Sequence, residues 1–195
     1  MMFREHVERI ASDIIGEFPA DGGIYAVTFR IDSVDQDPRF PYVAIGYTTE
    51  AHVAEQADAA SDSWEARWSY AFFPQTGLEG VRTVGRDPDG AETHRRGAEF
   101  RGLWYEDDDE PGDRDERLVE WFYEVCVGAA RHLHESGRIT KVLGRPVPVI
   151  LYDMFDPDAM FELTSDANPA GLVAEFMTED PGRPAQGEES ASSGY

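Results

Sequence analysis

Apolar residues recur at three- and four-residue steps near the start of the chain, at Phe3, Val7, Ile10, Ala11, Ile14 and Phe18. That spacing predicts an amphipathic helix over 3–18, ended by Pro19 and the Asp21-Gly22-Gly23 turn. The period then changes to two. Tyr25, Val27, Phe29 and Ile31 mark one face of a strand over 24–31, and Val43, Ile45 and Tyr47 mark a second strand over 42–47. With a turn over 32–38 between them, the two strands predict an antiparallel hairpin. Thr49 is placed to cap a helix running to about residue 60, with Val53 and Ala57 inward. An aromatic block follows, from Trp64 through Trp68 and Tyr70 to Phe73, and its second half alternates as a strand does.

Residues 75–112 show no clear period. They are rich in Gly, Arg and Asp, with apolar islands at 81–84 and 100–105. The strongest helical pattern comes next. Leu118, Phe122, Val125, Cys126, Ala129 and Leu133 form an apolar stripe over about 115–136, Asp113 and Glu116 have capping-box spacing, and Gly137 is a natural stop. A short buried strand is expected over 147–152, a helical turn opening at Asp156-Pro157, and a last helix from Asn168-Pro169 to about Met177. From residue 179 onward Pro, Gly, Glu and Ser dominate. The expected organisation is one α+β domain over 1–178, a mostly antiparallel sheet with packed helices, followed by a disordered acidic tail over 179–195.

Charge narrows the function. The chain has 39 Asp and Glu against 17 Lys and Arg, a formal net charge of −22 on 195 residues. Such a surface repels phosphate, which argues against nucleic-acid or anionic-membrane binding and favours a basic partner. The acids are densest over 106–120, with nine Asp or Glu and two Arg. The single cysteine, Cys126, excludes an intramolecular disulfide and makes a reducing compartment the default. The N-terminus lacks the apolar core of a signal peptide, and no stretch approaches the ~20 apolar residues that span a bilayer. A cytoplasmic location is expected.

Several constellations invite chemistry, and each has a plainer reading. The run Asp107, Asp108, Asp109 has the turn glycine of a calcium loop at Gly112, but Pro111 and Leu118 stand where an EF-hand needs oxygen ligands. A solvated acidic loop explains it. Asp153, Asp156 and Asp158 follow the last strand, where carboxylates can hold Mg²⁺ in a hydrolase. Helix capping accounts for the same residues. His132 and His134 lie about 9 and 12 Å beyond Cys126 along one helix, too far to activate its thiol. They also lie on opposing faces, so they do not share a metal. Arg82, Arg86, Arg95, Arg96 and Arg101 form the one basic cluster, interleaved with Asp87, Asp89, Glu92 and Glu99. There is no glycine-rich phosphate loop, nucleophile elbow, zinc-ligand spacing or dinucleotide fingerprint, and no cofactor is expected. The aromatic block is either core or an interface, since five large rings in ten residues do not all point inward from one strand.

The order of elements resembles the bacterial domain-of-unknown-function family numbered 4303. The resemblance rests on Ile24-Tyr25-Ala26-Val27-Thr28-Phe29, Val43-Ala44-Ile45-Gly46-Tyr47-Thr48-Thr49-Glu50, Arg67-Trp68-Ser69-Tyr70, the long helix ending at Gly137, and Ser165-Asp166-Ala167-Asn168-Pro169. It spans about residues 3–177, carries no catalytic residues over, and implies an immunity-like or interaction role. The expectation is a non-catalytic protein-binding domain for a basic protein such as a toxin. Its candidate interface is Trp64, Trp68, Tyr70, Asp107, Asp108 and Asp109. The alternatives are a metal-dependent hydrolase using Asp153, Asp156 and Asp158, and a structural homo-oligomer joined through the aromatic block.

Overall fold

The structure, a computed structural model, describes residues 2–74, 82–107 and 109–179. The expected tail from residue 180 on, and Asp108, lie outside the described residues. The elements run α1 (Phe3–Gly16), β1 (Ile24–Ser33), β2 (Pro41–Thr49), α2 (Glu50–Gln56), α3 (Ser63–Trp68), β3 (Arg82–Val84), α4 (Pro88–Phe100), α5 (Arg114–Glu135), α6 (Arg138–Leu143), β4 (Val149–Asp153) and α7 (Ala159–Ala167). Short 3₁₀ turns punctuate them. The strands form one sheet in the order β3-β2-β1-β4. The β1–β2 and β2–β3 pairs are antiparallel and β1–β4 is parallel, with Ile31 opposite Asp153. The fold is α+β with a mostly antiparallel sheet.

Both faces of the sheet are covered. Val27, Phe29, Ile31, Val43, Ile45, Val149 and Leu151 face a large core closed by α1, α5 and α6. All six residues of the predicted α5 stripe are buried there, and Trp121, Val127 and Ala130 are buried too. The helix is enclosed on more than one side because α1 and α7 both pack on it. Gly137 stops it with φ 68°, the left-handed conformation that glycine adopts without steric cost.

The opposite face carries a second core of Tyr25, Trp68, Phe73, Ile150, Tyr152, Val173 and Phe176. Tyr25 leaves the face predicted for it because the β1–β2 register shifts between Ile24 and Ala26, and such an irregularity re-aims a side chain. The second half of the aromatic block is not a strand. Trp64 and Trp68 lie one turn apart on α3, and Tyr70–Phe72 is a 3₁₀ turn. Trp68 packs edge-on against Tyr25 at 5.4 Å, and Tyr70 stacks on Tyr152 at 5.6 Å. Trp64 stacks on Phe161 and donates its Nε1–H to the Phe176 carbonyl at 3.0 Å.

Two expectations about helix ends are corrected, and one helix lies where none was predicted. Thr49 caps α2 by accepting the His52 N–H, but the helix stops at Gln56 and Ala57 is exposed. α4 lies wholly within the stretch that showed no period. Its Asp87 accepts the Gly90 N–H at 2.8 Å and pairs with the buried His6 ring at 3.1 Å, pinning α4 to α1. Asn168 does not open a helix: it ends α7, and 3₁₀ turns follow at Ala170–Leu172 and Phe176–Glu179.

Asn168 instead serves β4. Its amide donates to the Val149 carbonyl and accepts the Val149 N–H, both at 2.7 Å. One turn earlier the Thr164 hydroxyl does the same for Leu151, at 3.0 and 3.2 Å. β4 is an edge strand, and these two side chains take the place of a neighbour along its outer side.

Candidate functional site

Because β1 and β4 run parallel and in register, both chains leave the sheet at the same end, where open α/β sheets place their ligands. Asp32 stands at the end of β1 and Asp153 at the end of β4. The first turn of α5 adds Asp115, and Tyr123 lies two turns further on. The β1–β2 connection adds Ser33, Gln36, Pro38 and Pro41. Together they enclose a cavity of about 330 Å³ walled by Ile31, Leu118, Val119, Phe122 and Phe155. Its lining holds no Lys or Arg, and Arg30 approaches Asp32 at 3.9 Å. The connection is tightly wound, with Asp35 and Gln36 both in the left-handed region at φ 53° and 61°.

Each carboxylate in the cavity is held by a tyrosine. Tyr42 Oη–H donates to Asp32 at 2.8 Å, Tyr123 to Asp153 at 3.0 Å, and Tyr105 to Asp115. Asp153 also accepts the Phe155 N–H at 2.8 Å, closing a turn on itself. Burial raises the Asp153 carboxyl above the usual Asp range, against the lowering effect of the Phe155 and Tyr123 bonds. Burial, then the nearby carboxylates, push Tyr105 up to about 12 and Tyr123 well above its ordinary value. The phenols therefore stay protonated at neutral pH and act as fixed donors. In a neighbouring groove, Arg39 donates to Asp37 at 2.6 Å, Asp107 at 2.8 Å and the Tyr105 carbonyl at 3.2 Å. Burial alone would raise Asp37, but the Arg39 bonds outweigh it and hold the carboxyl below its usual range.

The arrangement presents anionic oxygens at fixed positions above apolar walls. That matches a long basic side chain, with the head on carboxylate and the methylene stem on hydrocarbon.

The other residues singled out in the sequence are dispersed. Trp68 is buried in the second core, and Trp64 and Tyr70 are half-buried and pack against it. The Asp107 side chain is 90% exposed and engages Arg39. Asp109 accepts the Glu106 N–H at 3.2 Å in a local turn. Asp153 lines the cavity, Asp156 lines a separate groove between α5 and α7 yet stands near enough to help raise the Asp153 carboxyl, and Asp156 and Asp158 are exposed. Neither of the latter caps α7 with its side chain. Asp158 occupies the cap position without a side-chain bond, and the turn before it is organised by Asp153. Among the described residues no group of three or more His, Cys, Asp or Glu is arranged to hold a metal ion. Cys126 is fully buried and its thiol is pushed up by burial and by Asp153. His134 bonds Asn168 at 2.9 Å.

Sequence reasoning missed Asp32, Asp115 and the three tyrosines. One signal was present: Ile31-Asp32 and Tyr152-Asp153 both put an aspartate directly after a buried strand residue. No described helix is long and apolar enough to cross a membrane. Comparison with protein-family models, with curated proteins and with solved structures gives no match to this chain.

Proposed function

We propose that this chain is a non-catalytic protein-binding domain that captures a basic partner by seating an arginine or lysine side chain between Asp32, Asp115 and Asp153. The observation that carries the reading is a cavity with three carboxylates and no Lys or Arg in its lining. The net charge of −22 and the acids of 106–120 add attraction for a basic protein over about a Debye length. A central pocket for one anchor residue, rimmed by weaker contacts, is how tight interfaces concentrate their energy. A basic toxin is one such partner, in keeping with the interaction role that the sequence resemblance implies.

The test uses a small probe first. N-acetyl-arginine amide titrated into isotopically labelled protein should shift resonances at Asp153, Tyr123 and Leu118, and the shifts should vanish in Asp32→Asn/Asp153→Asn. A partner crosslinked from native lysate should be lost in the same variant. Shifts spread over the whole acidic surface, unchanged in the variant, would replace pocket recognition with diffuse charge attraction.

A further inference from the structure

A second surface of the molecule carries both halves of a complementary pair. Between the start of α1, α4 and α5 lies a groove of about 500 Å³ with an apolar floor of Phe3, Trp121 and Val125. Its rim holds Phe100, 91% exposed, and Met2, 68% exposed. Three guanidinium groups, of Arg4, Arg96 and Arg101, line it with one carboxylate, Glu124; Arg4 pairs with Glu8 at 2.8 Å and Arg96 with Glu92 at 2.6 Å, exposed i,i+4 pairs of little net strength. In a chain this acidic that is a locally cation-rich surface. Arg101 lies over the Trp121 ring at 4.3 Å and donates to the Gly97 carbonyl, and it has no carboxylate partner among the described residues. Gly97 is required there, since a Cβ would stand 2.7 Å from the Trp121 ring.

On the other side of α5, between it and α7, lies a groove of about 810 Å³ with the opposite character. Glu120, Glu124, Asp156, Glu162 and Asp166 line it, with Arg4 and Arg131. Glu120 and Glu124 sit one turn apart, as do Glu162 and Asp166, so each pair repels along its helix. Arg131 reaches Asp166 at 4.0 Å. Glu120, Glu124, Asp156 and Glu162 have no cation within 4 Å among the described residues. Val127, Ala159 and Leu163 supply apolar floor.

The two grooves adjoin along α5 and share Arg4 and Glu124. A two-fold interface requires a patch that contains its own complement. From this juxtaposition we infer that the chain forms a two-fold homodimer across the exposed ridge of α5, the basic groove of each copy covering the acidic groove of the other. An axis along the ridge brings Arg96 and Arg101 to Glu120 and Glu162 of the second copy, and Arg4 to its Glu124. Phe100 then leaves solvent for the apolar floor between α5 and α7. The overall repulsion of two acidic molecules is screened beyond about 8 Å at physiological salt, so the close complementary pairs decide the outcome. Tyr123 lines both the acidic groove and the cavity, but none of Arg96, Arg101, Phe100, Glu120 and Glu162 lines the cavity, so either reading can fail without the other.

Sedimentation velocity and light scattering over a concentration series test it. The wild type should pass from monomer to dimer. Arg96→Glu/Arg101→Glu and Glu120→Arg/Glu162→Arg should each move the midpoint at least about tenfold toward higher concentration, the effect of one close charge pair. An equimolar mixture of the two variants should dimerise again, because every contact in the heterodimer regains opposite charges. Phe100→Asp, at a position with no folding role, should also weaken the dimer. A wild type that stays monomeric into the millimolar range overturns the inference, as does a mixture that stays monomeric while circular dichroism shows both variants folded.

Discussion

Replacing Thr164 with Val isolates the bonds that α7 gives to β4. Thr164 and Leu151 are both fully buried, and the hydroxyl accepts the Leu151 N–H while donating to the Leu151 carbonyl. Valine has nearly the same shape, so the packing survives and the two backbone groups lose their partner without access to water. Each buried unsatisfied group costs about 1–3 kcal/mol. The added apolar methyl returns about 1 kcal/mol. The net expectation is a loss of about 1–5 kcal/mol, which lowers Tm by roughly 2–20 °C for a chain of this size. Thr164→Ser keeps the hydroxyl and gives up one methyl, a loss of about 1 kcal/mol. The ranking is the decisive part. Apolar burial alone puts Val level with or above Thr and Ser last, whereas the hydrogen bonds put Ser between Thr and Val. Urea unfolding of the three proteins measures the order, and amide exchange at Leu151 reports the bond itself. Valine within about 0.5 kcal/mol of wild type, with Leu151 still protected, would refute the edge-strand argument.

Four other outcomes are expected. Phe122→Ala, at a side chain 2% exposed on the α5 stripe, should cost about 3–5 kcal/mol in denaturant unfolding. Burial, then the nearby Arg101, lower the His94 ring to about 4, so the unfolded chain binds the extra proton first as pH falls. Stability should be complete above pH 6.5 and decline by about 3 kcal/mol toward pH 4, and His94→Phe should abolish that share of the slope in pH-dependent urea melts. Asp153 is raised, the opposite case, in which the folded state holds its proton longer and stability falls as pH climbs through the carboxylate range. Asp153→Asn should flatten that segment without destabilising the protein at neutral pH, while weakening arginine-probe binding. Calorimetric titration with Mg²⁺, Mn²⁺ and Ca²⁺ should show no saturable micromolar site at Asp153, Asp156 and Asp158.

Elements that bury a periodic apolar face were legible in advance. α1, the β1–β2 hairpin and α5 each announce their face over several turns or alternations. α4 was not, because its buried side is Gly90, His94 and Ala98, which form no apolar stripe. Its start was nonetheless written in the chain, since Asp87-Pro88 is a cap followed by proline in the first turn. Trp64 and Trp68 also stand at helical spacing, masked by the alternation just after them. Asn168-Pro169 misled for a physical reason. An asparagine before proline suits a helix cap, but the same amide here satisfies a strand edge, a role that depends on where α7 docks. The cavity was beyond local reading altogether. Its carboxylates are ordinary surface residues until β4 lies parallel to β1, and no short-range pattern encodes that pairing.

That pairing has a kinetic consequence. Asp32 and Asp153 come from opposite ends of the chain, and a parallel pair needs a long crossover before any ladder bond forms. The entropy of closing so large a loop must be met before β4 returns any contact energy, which places its docking late in folding. On a ribosome, a hairpin of β1 and β2 can form well before residue 149 emerges, but the cavity is absent until the last strand arrives. The proposed capture of a cationic side chain would therefore report a finished fold, and an arginine probe added during refolding should bind with the rate of β4 docking rather than of collapse.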